Sequence, residues 1–503
     1  MSEVSSALPT SELAEQPVPR HYLRLIGVLL TAVVLSAAVP AFLIADVPDA
    51  GRSSGWILTL LVMVWSGLRM ATAIASGRPM LFDFFFWIFC YVFMGLAPSV
   101  QIRSGLISTT TQGIDSALDV PTALLVWLGI ICYEAGRALA FARERGARAR
   151  DHAASRAARA GMPEARVTGV STTRTIILVV FGFATSAYFV AKVGVGSLFL
   201  DRYAFENIRN AVWPDSATNA VVRALAVYPI LVGIGALALL RRRATRGYAR
   251  VLAAAIVVCT LLLLTIVNPI SSARYTVGTA LFALAIYAGT VVTPVRTRLT
   301  LVGTIIAFIF LFPLADAFRV GPVDVSRNGF FGEYAGNADY DAFWQIANAH
   351  SYVLDGLVQF GQQALGSLLF WVPRSIWADK PIDTGILLAQ YRGYSFDNLS
   401  APLWAEFLVN GGIPFLVVGF LVVGYALRAM DVRLLPAFSA AGYWAIVGAI
   451  FPVYMTILLR GSLLQATGGV LVAIACLLFV RRRTRPAGEL GGLTTPQPIR
   501  ETT

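Results

Sequence analysis

The sequence predicts an all-α polytopic membrane protein of about 12 transmembrane helices, with a large extracytoplasmic loop between helices 9 and 10. Composition is the first indication: 57% of the 503 residues are hydrophobic, 14% are charged, and mean hydropathy is +0.70. A soluble chain of this length could not bury so much apolar surface. The second indication is a series of apolar runs of about 20 residues, the length that crosses a bilayer as a helix. The third is that arginine clusters alternate with those runs.

The apolar runs predict twelve spans, which we place at residues 22–45, 54–76, 82–99, 120–141, 173–193, 219–240, 250–268, 275–294, 299–317, 406–427, 437–457 and 463–480. Residues 1–21 then form an N-terminal tail, 22–480 the transmembrane domain and 481–503 a disordered tail rich in Gly, Thr and Pro. The polar N-terminus and the length of the first run argue against a cleaved signal peptide.

The arginine clusters predict the orientation of the chain. With twelve spans, all of the main clusters fall on one side, at Arg20/Arg24, 143–166, 241–250, Arg296/Arg298, Arg428/Arg433 and 481–483. Cytoplasmic connections carry the excess of positive charge, so this side and both termini are predicted to be cytoplasmic, as is the basic loop 142–171. This bias explains most of the net charge of +12 without a nucleic-acid partner.

The sequence gives little support for a metal or a cofactor. Its four cysteines lack CxxC spacing and lie in apolar runs, where they are expected to pack as small hydrophobic residues. Asp339-Tyr340-Asp341 has the form of the DxD metal motif of soluble glycosyltransferases, but its surroundings are those of an ordinary loop. We therefore expect no metal site and no cofactor.

The most informative segment is the polar stretch 318–405 between two apolar runs, which is rich in Arg, Trp, Tyr and Asn. Several arginines fall on the predicted outer side, against the usual bias: Arg103, Arg202, Arg209, Arg274, Arg319, Arg327, Arg374, Arg392 and Arg460. The guanidinium group is a fork-shaped donor suited to phosphate and pyrophosphate. Contact with lipid headgroups is the alternative explanation for any one of them. Within this loop, residues 353–370 are apolar enough for an amphipathic or re-entrant helix.

Two motifs of this region resemble the Wzy-type polymerases of oligosaccharide repeat units. They are Pro373-Arg374-Ser375-Ile376-Trp377-x-x-Lys380-Pro381 with Gly385, and Asn398-x-Ser400-x-Pro402-x-x-x-Glu406-x-x-x-Asn410-Gly411-Gly412 at the start of the next span. The resemblance extends best over residues 268–425. Arg374 and Gly385 also have the Arg-x10-Gly spacing of some members, whereas Arg202 and Arg209 have no such partner.

The resemblance implies a metal-independent glycosyltransferase of the GT-C class in the bacterial inner membrane. Such enzymes join undecaprenyl-pyrophosphate-linked repeat units on the extracytoplasmic side, and their partners include membrane lipids, a chain-length regulator and a flippase. Cationic side chains would meet the charge that develops on the leaving pyrophosphate. The resemblance gives Arg374 and Arg274 this catalytic role, with substrate binding by Lys380, Arg460, Arg319, Trp377, Tyr394 and Asn398.

The general base and the exact reaction stay open at the sequence level. Glu406, His350 and Glu206 are candidate bases, and a structural hydrogen bond is the competing role for His350. The aromatic side chains can stack on sugars or mark the membrane interface. Alternatives to a polymerase are an O-antigen-ligase-like transferase, a transporter of lipid-linked sugars or polysaccharide, and a scaffold of an export complex.

Overall fold

The protein is an all-helical membrane protein. The computed structural model describes residues 20–157, 169–311, 329–397, 399–439 and 442–482, and within these ranges the regular elements are helices, with one isolated bridge and no strand. Ten helices of the described part are long and apolar enough to cross a membrane. The predicted fold class is therefore confirmed, while the number of twelve spans stays a prediction.

We number the main helices in chain order. The first ten are α1 (Gly27–Asp46), α2 (Gly55–Ser76), α3 (Leu81–Arg103), α4 (Asp119–Ala157), α5 (Thr172–Val193), α6 (Arg202–Val212), α7 (Ser216–Arg241), α8 (Arg246–Ile266), α9 (Arg274–Tyr287) and α10 (Pro294–Leu311). The remaining seven are α11 (Gly329–Gly336), α12 (Ala342–Leu354), α13 (Gln362–Leu368), α14 (Thr384–Arg392), α15 (Leu403–Ser439), α16 (Trp444–Arg460) and α17 (Leu463–Val480).

Two of the predicted spans are shorter in the structure than the sequence suggested. Helix α9 has 14 residues and ends at Tyr287, whereas the apolar run predicted a span over 275–294. The run continues into a turn in which Gly289 has φ +92°, a conformation that stops a helix of L residues. Helix α16 has 17 residues. At a rise of 1.5 Å per residue, these helices are about 21 and 26 Å long, less than a bilayer core.

Hydrogen bonds between the segments that connect the helices show which of these segments lie at the same end of the bundle. Successive spans run in opposite directions, so successive connections should lie at opposite ends, and the contacts follow this order. One set joins Arg52 to Asp119, Ala50 to Arg103, Leu198 to Asn268, and Ala401 to Arg460. The other set joins Ile74 to Arg298, Phe82 to Asp431, and Ser171 to Val480. We call the first the loop end, since residues 329–397 and 399–402 lie there, and the second the arginine end.

Helix α3 forms the centre of the bundle, and the other spans surround it. All of its residues through Ile102 are buried, including an aromatic series from Phe82 to Phe93, whereas α1 and α8 expose most of their length. A Cβ added to Gly95 would stand 2.8 Å from the backbone of Met63, so the small residue lets α2 approach closely. Exposed Leu, Ile, Val and Phe side chains on the peripheral helices face outward, as lipid contact requires.

Part of the segment predicted as the large extracytoplasmic loop is buried against the bundle. The first eight residues of α12 are buried, and the indole Nε1 of Trp344 donates to Oε1 of Gln101 on α3 (2.7 Å). Residues 353–370 do not form the single helix that their apolar character suggested. Only residues 353–354, at the end of α12, and Gln362–Leu368 are helical there, because Gly356 and Gly361 take left-handed φ values of 77° and 83°.

Helix α15 is broken near its start and folds back on itself. Gly411 and Gly412 leave helical geometry, and Gly412 has φ 65° and ψ −154°, a combination that essentially only glycine adopts. The rings of Trp404 and Phe420 lie 4.2 Å apart, whereas sixteen residues of straight helix would separate them by about 24 Å. Residues 403–410 therefore form a short inner helix that turns into the spanning part of α15.

Candidate functional site

Four charged side chains from three predicted outer connections meet at the loop end. Arg274, at the start of α9, forms an ion pair with Asp339. Arg460, at the end of α16, donates from Nε to the carbonyl oxygen of Asp339 (2.9 Å), and its Nη2 lies 3.3 Å from Oδ1 of Asp339 and 3.5 Å from Oδ1 of Asp341. Asp341 also accepts from the backbone N–H of Ser400 (3.0 Å). We call these two arginines and two aspartates the ionic cluster.

Within the loop end, the ionic cluster lies deeper than the last turns of α3. The guanidinium carbon of Arg460 is 5.9 Å from the ring centre of Phe93, and the ring of Tyr340 is 5.6 Å from that ring. Phe93 precedes the end of α3 at Arg103 by ten residues, or about 15 Å of helix. The short helices α9 and α16 start and end beside the cluster, and α17 starts three residues after Arg460.

The arginines keep the carboxylate of Asp339 ionised. Burial alone would raise the pKa of Asp339, but Arg460 and Arg274 outweigh it and lower the pKa to about 2. Burial raises the pKa of the more deeply buried Asp341, which Arg460 and the N–H of Ser400 oppose. The DxD motif of the sequence is thus bound by cationic side chains of this chain. Among the described residues, no group of three or more His, Cys, Asp or Glu could hold a metal ion.

Glu406 is buried next to the cluster, between three elements. Its Oε2 accepts from the hydroxyl of Thr384 at the start of α14 (2.9 Å), and its Oε1 accepts from the backbone N–H of Leu463 at the start of α17 (2.9 Å). Asp383 lies beside it and caps α14 by accepting from the N–H of Gly385 (2.8 Å). Burial raises the pKa of the Asp383 carboxyl. A proton-accepting group in this place would therefore be shielded from bulk water.

Arg374 and Lys380 lie apart from the ionic cluster, on a cleft of about 710 Å³. The cleft, which we call the Trp371 cleft, is walled by residues 370–374 on one side and by α7 and α17 on the other. Nη1 of Arg374 donates to the carbonyl oxygen of Lys380 (2.7 Å), and Nζ of Lys380 donates to the carbonyl oxygen of Val372 (2.9 Å). These bonds close the loop 370–381 into a compact turn that presents both cations to the cleft.

Two smaller cavities continue the cleft into the protein. The Arg223 cavity, of about 160 Å³, shares Ala220 and Gln465 with the cleft, and it reaches Gly461 and Ser462 next to the ionic cluster. The Arg209 cavity, of about 50 Å³, shares Arg223 with it. Together their linings hold five cationic side chains, Arg202, Arg209, Arg223, Arg374 and Lys380, against two acidic ones, Asp215 and Glu206. This path is suited to a polyanionic ligand.

The positive charge of the path is concentrated at Arg209. This side chain is 8% exposed, and its only acidic neighbour in the described part, Glu206, lies 3.4 Å away and also faces Arg202. Burial and the nearby Arg223 lower the pKa of Arg209 to about 10. Arg223 is exposed to two cavities and makes no ion pair or hydrogen bond with the described residues. An anion bound between them would relieve this repulsion.

The remaining candidates from the sequence lie away from the cluster, or outside the described residues. His350 follows Asp341 by nine residues along α12, about 13 Å of helix, and burial lowers its pKa. Tyr394 donates to the carbonyl oxygen of Gln112 (2.9 Å), and Trp377 is half-buried in the turn 370–381. Arg319 and Asn398 lie outside the part of the chain that the structure describes.

Sequence reasoning missed two features of the molecule. It did not connect Arg223, which lies within a span, to the outer arginines Arg202 and Arg209, because no local spacing indicates that contact. It also did not single out Asp83 or Asp431 at the arginine end. There the carboxylate of Asp431 accepts the N–H groups of Phe82 and Asp83 (both 3.0 Å), and Asp83 is surrounded by Trp87, Tyr133 and Arg137.

Comparison with known proteins leaves the family of this chain undecided. No family model, no curated protein and no solved structure matches it. The function therefore has to be argued from the geometry and the residues described above.

Proposed function

We propose that this protein is a membrane-embedded glycosyltransferase that joins pyrophosphate-linked oligosaccharide repeat units into a surface polysaccharide. The observation that carries the proposal is the continuous path from the Trp371 cleft through the Arg223 cavity to Arg209, with five cations and two acids in its lining. A lipid pyrophosphate supplies the negative charge that this path lacks. The cleft volume of about 710 Å³ also has the size of a ligand site for a large substrate.

The roles proposed for single residues follow their position on this path. Arg374 and Lys380 at the cleft and Arg223 and Arg209 further in are placed to meet phosphate oxygens, with Trp371 as a surface for a sugar ring. Arg274 and Arg460 are proposed to hold the connections beside this path in place, since Asp339 and Asp341 already balance their charge. Glu406, held by Thr384 and Leu463, is the base that we favour over His350 because it adjoins Ser462 in the Arg223 cavity.

The loop end is proposed to face outward from the bacterial inner membrane. The arginine end collects the triplet 241–243 and the arginines at 296, 298, 428 and 433, which is the bias of a cytoplasmic side. Both termini are then cytoplasmic. The substrate would be an undecaprenyl-pyrophosphate-linked oligosaccharide, delivered by a flippase and handed on with a chain-length regulator.

A transporter is the competing function, and charged side chains within the spans are the observation in its favour. Arg69, Glu134, Arg137 and Asp83 form a connected network of ion pairs between α2, α3 and α4. None of these side chains lines the cleft or the two cavities, however. These ion pairs therefore hold α2, α3 and α4 together toward the arginine end, where the ion pair of Arg428 and Glu144 also joins α15 to α4.

Deletion of the gene in the organism that carries it tests the proposed reaction. The expected result is loss of the polysaccharide ladder on a gel and accumulation of lipid carrying a single repeat unit on the outer leaflet. A ligase would instead leave long chains on the lipid carrier, and a transporter would leave its substrate on the inner leaflet. An unchanged ladder in the deletion strain would contradict the proposal.

A further inference from the structure

Residues 354–376, which we call the apolar flap, expose an unusual amount of hydrophobic surface at the loop end. The segment contains only two charged residues, Asp355 and Arg374. Its large apolar side chains point away from the protein, with exposed fractions of 65% for Leu354, 42% for Leu357, 86% for Phe360, 47% for Leu365, 69% for Leu368, 67% for Trp371 and 77% for Ile376. In water this surface would be an unfavourable arrangement, so it needs an apolar environment.

The backbone holds the flap rigidly against the break in α15. The N–H of Gln359 donates to the carbonyl oxygen of Val409, and the N–H of Gly361 donates to that of Asn410 (both 2.8 Å). Between them Phe360 has φ 46°, a left-handed value that costs energy for a residue with a side chain. The two bonds thus fix the most exposed phenyl group of the flap in an outward position.

The position of the flap relative to the spans indicates lipid as its partner. Just beyond the break, α15 exposes Ile413, Phe415 and Val418 at 49%, 47% and 60%, as a lipid-facing span does. At its other edge the flap touches α17, where a Cβ on Gly468 would lie 3.7 Å from the ring of Phe370. Gly468 is the sixth residue of α17, about 8 Å along that helix from its start at Leu463. The flap therefore reaches the depth of the outer turns of two spans.

We propose that the apolar flap is inserted in the leaflet at the loop end and that its partner is the acyl chains of the bilayer. Trp371, Arg374 and Lys380 then lie at headgroup level, the usual place for such side chains. The Trp371 cleft behind the flap opens sideways to the membrane, where a phosphate-bearing lipid with a long hydrocarbon tail can reach both cations. The insertion itself does not depend on the proposed transfer reaction.

Fluorescence quenching in a bilayer tests the insertion. On a background in which the four native cysteines are replaced, a bimane label is placed at Phe360→Cys or Leu368→Cys, at Val418→Cys as a span reference, and at Ser395→Cys as a water-exposed control in the same outer segment. In liposomes of lipids brominated along the acyl chain, the labels at 360 and 368 should be quenched to the extent of the label at 418. Iodide in the buffer should quench only the label at 395.

Two outcomes would overturn the inference. Quenching of the labels at 360 and 368 by iodide, at the level of residue 395, would place the flap in water. Protection of both labels from iodide and from brominated lipid would show that protein, such as a second copy of the chain, covers the flap. Because no sugar substrate enters this measurement, failure of the insertion and failure of the proposed transferase are separable.

Discussion

At the scale of single residues, the charges at the loop end have two different surroundings. Arg274 and Arg460 are balanced by Asp339 and Asp341, so their first role is to hold three connections together. Along the cleft and cavities, by contrast, cations exceed acids. The sequence predicted that Arg274, Arg374 and Arg460 lie in outer connections, and in the structure all three lie at the loop end. It could not separate these surroundings, because Arg274 and Asp339 are 65 residues apart, and Arg460 and Asp339 are 121 apart.

The ion pairs of Asp339 predict how stability depends on pH. Its pKa of about 2 in the folded protein lies below the ordinary value of 3.8, so its contribution is full above pH 4 and is lost as the pH falls toward 2. From this shift we expect a total loss of about 2–3 kcal/mol, about 1 kcal/mol of it by pH 3, which thermal unfolding in detergent between pH 7 and pH 2 would follow. Asp341, whose pKa is raised, changes in the opposite sense.

Asp339→Asn is the variant that isolates this contribution. It should unfold at a lower temperature at pH 7, because the largely buried Arg274 and Arg460 lose a counter-charge, at a cost of about 3–5 kcal/mol. Its unfolding temperature should fall less steeply with acid than that of the wild-type protein. Parallel acid curves for the two proteins would show that the ion pairs contribute nothing to stability.

The proposed role of the Trp371 cleft in polymer formation can be tested by substitution of Arg374. Arg374→Ala should reduce polymer formation by about two to three decades, the effect of losing one donor to a developing negative charge. Arg374→Lys should recover little, because the fork that also holds the carbonyl oxygen of Lys380 is lost. The measurement is polymer per amount of membrane protein, with Arg246→Ala at the arginine end as the matched control. Wild-type polymer from both Arg374 variants would remove this residue from the site.

At the scale of elements, hydropathy predicted which segments are helices but not how they are interrupted. Hydropathy shows no interruption along the apolar run of α15. Only the Asn410-Gly411-Gly412 sequence indicates the position at which the helix is broken in the structure. The fold-back of residues 403–410 depends on Trp404 packing against α3 and α4, with its indole N–H donating to the carbonyl oxygen of Val126 (3.3 Å). Such a contact between distant elements has no local signature.

Whether the fold needs the break in α15 can be tested by adding one methyl group at Gly412. Gly412→Ala should destabilise the protein by about 1–3 kcal/mol, because the backbone there has φ 65° and ψ −154°. Gly303→Ala is the matched control, since Gly303 lies in regular helix α10 and an added Cβ meets nothing within 4 Å. The readout is the temperature of thermal unfolding in detergent. Equal unfolding temperatures for the two variants would mean that α15 does not need the break.

At the scale of the whole molecule, the alternating arginine clusters predicted a two-ended bundle, and the contacts between connections agree with it. The sequence also predicted a large extracytoplasmic loop, but not that helix α12 within it is buried. Its burial could not be foreseen, because α12 is polar enough in Gln345, Asn348 and His350 to suggest solvent exposure. Those amides are buried against partners such as Arg392, whose Nε donates to Oδ1 of Asn348 (2.8 Å).

The orientation of the two ends is a prediction about the whole molecule. Single cysteines at Ala378, in the outer segment, and at Gly247, at the arginine end, are placed on a background without native cysteines. In intact spheroplasts, an impermeant thiol reagent should label Ala378→Cys, and it should label Gly247→Cys only after lysis. The reverse pattern would invert the topology and place the cleft in the cytoplasm.

Activity of the purified protein on a lipid-linked substrate tests whether repeat units are joined at the cationic path from the cleft to Arg209. Purified protein in proteoliposomes is given single repeat units on their pyrophosphate lipid, extracted from the deletion strain, and the products are separated on a gel. We predict a ladder of polymer for the wild-type protein, which persists in excess chelator, and almost none for Arg223→Ala of equal thermal stability. A wild-type protein that leaves single units unchanged, or an Arg223→Ala ladder equal to that of the wild type, would contradict the account.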